Sequence, residues 1–351
     1  MVRRRKGRSI NGIVLVNKPE GSSSNAILQH ARRLFDANKG GHTGSLDPLA
    51  TGMLPICFGA ATKFSQFGLN ALKCYQCTVQ LGTVTTTGDS EGDVVRESPV
   101  PAFGQADLIR YLTPFIGTTK QQPSLYSALK FEGKPLYYYA RQGIDVPRPI
   151  RDITLFRISL LSFSETSVRL EVVCSKGTYI RSLAEDFGDA LGCGAHLTQL
   201  HRVYSAPFYR SPMHTIDALE AMTEEARMLK LLPIETFLDE YPALTVSEEE
   251  ARRLAFGQTV VDTAFASAFA EHVNTDTLAS NNLKVEKLLV CQHETFLETL
   301  SMTATELSLY FQHDTEAPAF AVRVLDHRGH CLGVADLVGD KLKLNKHIVA
   351  E

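Results

Sequence analysis

Hydrophobic and polar positions alternate most regularly between Lys73 and Leu81, where Tyr75, Cys77, Val79 and Leu81 share one face and Cys74, Gln76, Thr78 and Gln80 the other. That period of two predicts a half-buried β-strand. Shorter apolar runs at Ile13–Val16 and Met53–Phe58 predict buried elements, and further strands are expected near Ile153–Ser162 and Val168–Cys174. Helical spacing is expected after an N-cap within Ser22-Ser23-Ser24 as far as about Phe35, and from Ser182 to about Leu191. A further helix begins at Ala60, with Phe64 and Phe67 on one side. From about residue 241 the character changes. Ser247 with Glu250 forms a capping box for a short helix ending at Gly257, and Phe320–Val324 with Leu332–Ala335 reads as a hairpin turning through Asp326–His330.

Between the first elements lies Gly40-Gly41-His42-Thr43-Gly44-Ser45-Leu46-Asp47-Pro48-Leu49-Ala50-Thr51-Gly52-Met53-Leu54-Pro55. Its glycines permit tight turns and close approach to a ligand, and Pro48 biases Asp47 toward an extended conformation. One acid is thereby presented on a stiff, mostly uncharged loop. Residues 121–151 interleave aromatic and cationic side chains, including Tyr126, Lys130, Phe131, Lys134, Tyr137, Tyr138, Tyr139, Arg141, Arg148 and Arg151. Such a mixture suits stacked bases and phosphates, although an amphipathic helix with half-buried tyrosines would show it too.

Charge sharpens this picture. The 351 residues carry a net −3, but residues 1–213 hold 25 Lys and Arg against 16 Asp and Glu, whereas residues 214–351 hold 11 against 23. A basic first part and an acidic second part suggest that the first meets a polyanion. The seven cysteines have no framework spacing, and reduced thiols in a cytoplasmic protein are expected. Cys74 and Cys77 would point to opposite faces of their strand and have no second pair, so zinc is not expected. Asp89, Glu91 and Asp93 lack the glycine position and the final acid of a calcium loop, and read as a solvated turn. His327 and His330 fall at a turn and read as solvent-facing. No apolar run is long enough to span a membrane, the basic N-terminus lacks a secretory core, and no dinucleotide, P-loop or serine-hydrolase motif occurs.

The loop from Gly40 closely resembles the G-H-T-G-x-L-D-P-x-A-x-G-x-L motif of the TruB family of tRNA pseudouridine synthases, and the match extends through Gly59 to Lys63. Asn17-Lys18-Pro19-Glu20-Gly21, Pro123–Lys130, Tyr137–Arg141, Cys174-Ser175-Lys176-Gly177-Thr178-Tyr179-Ile180-Arg181 and Gly192–Leu197 with Leu200 resemble further family segments. Gln122 stands where a second proline is common, and His201-Arg202 where two arginines are common. The resemblance implies an α+β fold: a pseudouridine synthase catalytic domain with a mixed, mainly antiparallel sheet flanked by helices, plus a small β-rich PUA-like C-terminal domain. The expected division is a basic arm at 1–9, the catalytic domain at 10–240 with an RNA-contacting insertion at 121–151, and the PUA-like domain at 241–351. An acidic insertion at about 263–316 has no counterpart in the shorter family members and no assigned role.

The implied activity is isomerisation of uridine 55 in the tRNA T-loop to pseudouridine, by base flipping and without cofactor or metal. Asp47 would be the catalytic carboxylate, as nucleophile or as base, with Arg181 paired to it and Tyr75 stacked on the base. His42, Tyr179 and Leu200 would complete the substrate pocket. Lys63, Tyr126, Lys130, Lys134, Arg141, Lys176 and Arg202 are expected RNA contacts. The T-arm of tRNA is the expected partner, for a monomer with no obligate protein partner. Two alternatives are a non-catalytic tRNA-binding or tRNA-folding protein on the same scaffold and a retaining glycosidase. Intact Asp47 weighs against the first, and the lack of a second acid in the matched motifs weighs against the second.

Overall fold

The structure is a computed structural model, and it describes residues 7–241, 243–261, 320–338 and 341–348. The chain enters through β1 (Gly12–Lys18), helix α1 (Ser24–Leu34), β2 (Gly40–His42) and β3 (Thr51–Phe58). The Ser23 hydroxyl accepts from the Ala26 N–H and so satisfies one of the free donors that start α1. A 3-10 turn, Gly59–Lys63, precedes the short α2 (Ser65–Asn70) and β4 (Lys73–Leu81). Next come β5 (Thr83–Thr85), β6 (Val94–Glu97), α3 (Gln105–Leu112) and β7 (Gly117–Gln121). A small hairpin, β8 (Lys130–Phe131) with β9 (Lys134–Pro135), leads into the single turn α4 (Leu136–Ala140). Then follow β10 (Arg151–Phe163), β11 (Ser167–Cys174), α5 (Ile180–Ala190) and β12 (Ala195–Ser205).

The large sheet runs β1-β3-β12-β4-β11-β10-β7, with β2 also on β3. Every pairing in it is antiparallel except β3 with β12. The alternation of β4 is realised in three dimensions. Tyr75, Cys77, Val79 and Leu81 join a core with Leu170 and Val172 of β11 and with Leu183, Ala184 and Phe187 of α5. Cys74 faces the opposite cluster, beside Phe64, Tyr204 and Phe208. Full burial of each such side chain is worth about 1.5–3 kcal/mol, so a one-residue slip in register would be costly. A third cluster packs Val14 and Val16 of β1 against Ile27, Leu28 and Ala31 of α1.

Two short helices, α6 (Ile216–Ala221) and α7 (Glu224–Met228), follow. A five-stranded sheet then forms from β13 (Ala243–Thr245), β14 (Val260–Val261), β15 (Phe320–Leu325), β16 (Cys331–Val338) and β17 (Lys341–His347), in the order β13-β15-β16-β17-β14. Helix α8 (Glu248–Ala255) packs on it, and its Ser247–Glu250 capping box is formed in both directions. His330 is exposed and bonds Asp326 within the turn. The two sheets touch: Val334 and Ala321 join the cluster of Phe237 and Phe64. The architecture is thus a mixed, mainly antiparallel sheet with helices and a separate small β-rich sheet. The acidic insertion expected at about 263–316 lies outside the described residues.

Candidate active site

Asp47 sits on the loop between β2 and β3. Leu46 and Ala50 of that loop are buried in the same core as Tyr75 and Leu200, so the loop is anchored by apolar contact on either side of its acid. Ser24 clamps Leu46 through both backbone groups, its hydroxyl donating to the carbonyl at 3.0 Å and accepting from the N–H at 2.7 Å. Lys18, fully buried, donates its ammonium to the carbonyls of Pro19, Pro48 and Ala50. Burial lowers its pKa to about 8, against the pull of Asp47. The alternation of β1 puts Lys18 on the face of Val14 and Val16, and that spacing is the sequence signal for its burial.

At the start of α5, Arg181 is buried, with 5% of its side chain exposed. Its Nη2 lies 3.0 Å from Asp47 Oδ2 and donates to the Tyr126 carbonyl at 2.9 Å. Its Nη1 lies 3.3 Å from Asp89 Oδ2 and donates to the Thr87 carbonyl at 3.0 Å. The fork geometry of guanidinium lets one side chain bridge two acids. Asp89 is only 2% exposed and accepts from the Thr87 hydroxyl and the Glu91 N–H. The solvated turn expected there is therefore corrected for Asp89. The hydroxyls of Thr85 and Thr87 fold inward and, with Arg181, replace the water that its carboxylate and carbonyl would otherwise need. Asp47 keeps 39% of its side chain exposed. Partial burial pushes its carboxyl above the usual range and Asp89 adds to this, while Arg181 and Lys18 pull the other way.

Tyr75 and Leu200 are buried side by side in the central core. Tyr179 is half-buried at the N-terminus of α5, held by Gln121 through both its N–H and its carbonyl, with Arg151 over its ring at 5.9 Å. His42, on β2, is half-buried and its Nδ1 has no partner; burial lowers its pKa.

Lys63, Lys130, Lys134, Arg141 and Lys176 are exposed. Lys134 lies over the Tyr138 ring at 4.3 Å, on the hairpin-and-turn unit that forms where an amphipathic helix was the alternative. The half-buried Tyr126 borders a polar cleft of about 210 Å³ with Ser124, Arg148, Ser182, Glu185 and Asp186. Arg202 differs from expectation. It is fully buried, and its guanidinium donates to the carbonyls of Met53 and Gly44, so it does not face phosphate. Position 202 on β12 lies opposite Tyr75, whose face of the sheet is the core.

Two family models match the chain: TruB family pseudouridylate synthase, N-terminal domain, over residues 32–180, and tRNA pseudouridylate synthase B C-terminal domain over residues 181–239. A protein named tRNA pseudouridine synthase B from Chromohalobacter salexigens is 51% identical over 269 residues, 76% of this chain and 88% of that one. One of the same name from Idiomarina loihiensis is 50% identical over 261 residues, covering 74% and 84%. Among solved structures, a Cbf5-Nop10-Gar1 complex superposes with a TM-score of 0.64 at 19% identity, covering 96% of this chain and 84% of that one. The likeness in that case is one of fold.

Proposed function

The chain belongs to the TruB family of pseudouridylate synthases, and from that premise we propose that it isomerises uridine 55 in the T-loop of tRNA to pseudouridine. Asp47 carries the chemistry and no cofactor takes part. The observation that carries this reading is the Asp47–Arg181 pair at 3.0 Å, on a loop anchored in the core that holds Tyr75 and Leu200. In the reaction the N1–C1′ bond breaks, the base turns, and a C5–C1′ bond forms. The proton leaving C5 is balanced by one gained at N1, so the product is an isomer.

Such a rearrangement needs an ionised carboxylate beside the sugar and a dry pocket for a base drawn out of its stack. Arg181 holds Asp47 charged and oriented. Burial keeps the Tyr75 phenol protonated, so its ring serves as a flat apolar surface for the base. Leu200 and Tyr179 complete the pocket, and His42 occupies space near the flipped nucleotide and helps hold the opened loop. Lys63, Tyr126, Lys130, Lys134, Arg141 and Lys176 meet the RNA outside the pocket. Tyrosines with a lysine or an arginine at their faces suit stacked bases and phosphates. The protein acts as a cytoplasmic monomer on the T-arm.

The test is carbodiimide primer-extension mapping of unmodified tRNA incubated with the purified chain and no added cofactor. Pseudouridine is expected at position 55 alone. Asp47→Asn should abolish it while T-arm affinity stays within about threefold, because affinity comes mainly from phosphates and stacking. Substantial turnover by that variant would remove Asp47 from the chemistry.

A further inference from the structure

Arg202 stands on β12 where that strand meets β3 in the sheet's single parallel pairing, opposite Gly52, and meets β4 opposite Tyr75. It is fully buried, yet its donors go to neutral oxygens: Nε to the Met53 carbonyl at 2.6 Å and Nη2 to the Gly44 carbonyl at 3.1 Å. A buried cation satisfied by carbonyls costs desolvation with little Coulombic return, and an apolar residue of similar volume would cost less. Stability alone therefore gives no reason for an arginine at this position.

What the arginine does is join two pieces of the candidate site. Gly44 precedes Asp47 on the incoming limb of its loop, and Met53 follows it on the outgoing limb. Both limbs come close because glycine lets them. A Cβ on Gly52, whose φ is +97°, would sit 2.3 Å from the Arg202 carbonyl oxygen. A Cβ on Gly44, at φ +126°, would meet Arg202 Nη1 at 3.5 Å. On the other side of β12, the strand register sets Arg202 opposite Tyr75.

We propose that Arg202 is a positioning residue, one planar guanidinium that ties both limbs of the Asp47 loop into a single rigid unit on the strand position facing Tyr75. The carboxylate is then fixed before RNA arrives. This rests on the reading of Asp47 and Tyr75 as the reacting site. A lysine ammonium is a point donor on a flexible stem and does not span both acceptors. Displacements near 1 Å in such a site cost on the order of 100-fold in rate.

The experiment uses the full chain and an unmodified T-arm stem-loop RNA, and measures single-turnover rate against RNA concentration together with thermal melting. For Arg202→Lys we expect a rate at saturating RNA at least about 20-fold lower and a half-saturating RNA concentration within about threefold. The protein should remain fully folded at the assay temperature. Arg202→Met, which keeps volume and removes the buried charge, should behave like the lysine variant. A wild-type chain that makes no pseudouridine would defeat the proposed function itself. With active wild type, the proposal is overturned if either folded variant keeps its rate within threefold, or loses affinity at an unchanged rate. It is equally overturned if neither variant folds, since Arg202 would then be scaffold.

Discussion

Arg181 answers two carboxylates with one positive charge, so Asp89 competes with Asp47 for it. If turnover needs ionised Asp47, the rate falls as pH drops through a pKa held above the ordinary carboxylate range by burial and by Asp89. Removing the Asp89 charge takes away a contribution that raises that pKa. Asp89→Asn should therefore move the acid limb of the single-turnover profile to lower pH, even where it reduces the plateau. A limb that stays put or moves up would separate Asp89 electrostatically from Asp47. A second buried group acts on stability. Lys73 donates to the carbonyls of Gly68, Leu69 and Ala71 at the end of α2, and burial lowers its pKa to about 7. Between about pH 7 and the lysine's ordinary value near 10.4, the unfolded chain holds the extra proton, so this residue makes stability rise with pH. Urea unfolding at pH 7 and pH 9 should show a smaller difference for Lys73→Met than for wild type.

At the level of elements, β4 was legible because its period of two is set by burial on one face, and the burial is local to the strand. Helices α1 and α8 were legible from their capping serines. The place of β12 was not, since nothing in Ala195–Ser205 says that it will divide β3 from β4. Its consequence, the burial of Arg202, was lost with it. Asp89 was hidden for the same reason: a carboxylate in a polar turn looks solvated until a guanidinium from residue 181 arrives. The insertion between β7 and β10 supplies a testable element. Lys130, Lys134 and Arg141 are exposed on its hairpin and turn, beside the exposed Tyr137 and Tyr138. Changing all three cations to alanine should weaken T-arm binding and lower the slope of log affinity against log salt by up to about 2–3. The rate at saturating RNA should stay within a few-fold. An unchanged salt slope would place the phosphates elsewhere.

Across the whole chain, positive charge gathers before residue 214 and negative charge after it. Residues 263–316 add acids, among them Glu271, Asp276, Glu286, Glu294, Glu298, Glu306, Asp314 and Glu316, against Lys284 and Lys287. A surface of that sign repels RNA backbone. The strands flanking this stretch, β14 and β15, are separated by β17 and β16, a span of about 14 Å at the usual strand spacing. A Gly/Ser bridge of roughly 8–10 residues covers it. Deleting 263–316 with that bridge should leave the single-turnover rate near wild type, checked alongside thermal melting. A lost rate in a well-folded variant would give the acidic stretch a part in turnover.

The parallel seam between β3 and β12 also sets a timetable. The loop that carries Asp47 leaves the ribosome roughly 150 residues before Arg202, and at about 5–20 residues per second that interval is on the order of 8–30 s. For all of it, Lys18 is available to grip the loop from one side, while its two limbs have no guanidinium between them. A nascent chain thus carries Asp47 early, and one guanidinium joins the two limbs of its loop only once β12 has been made and has paired with β3.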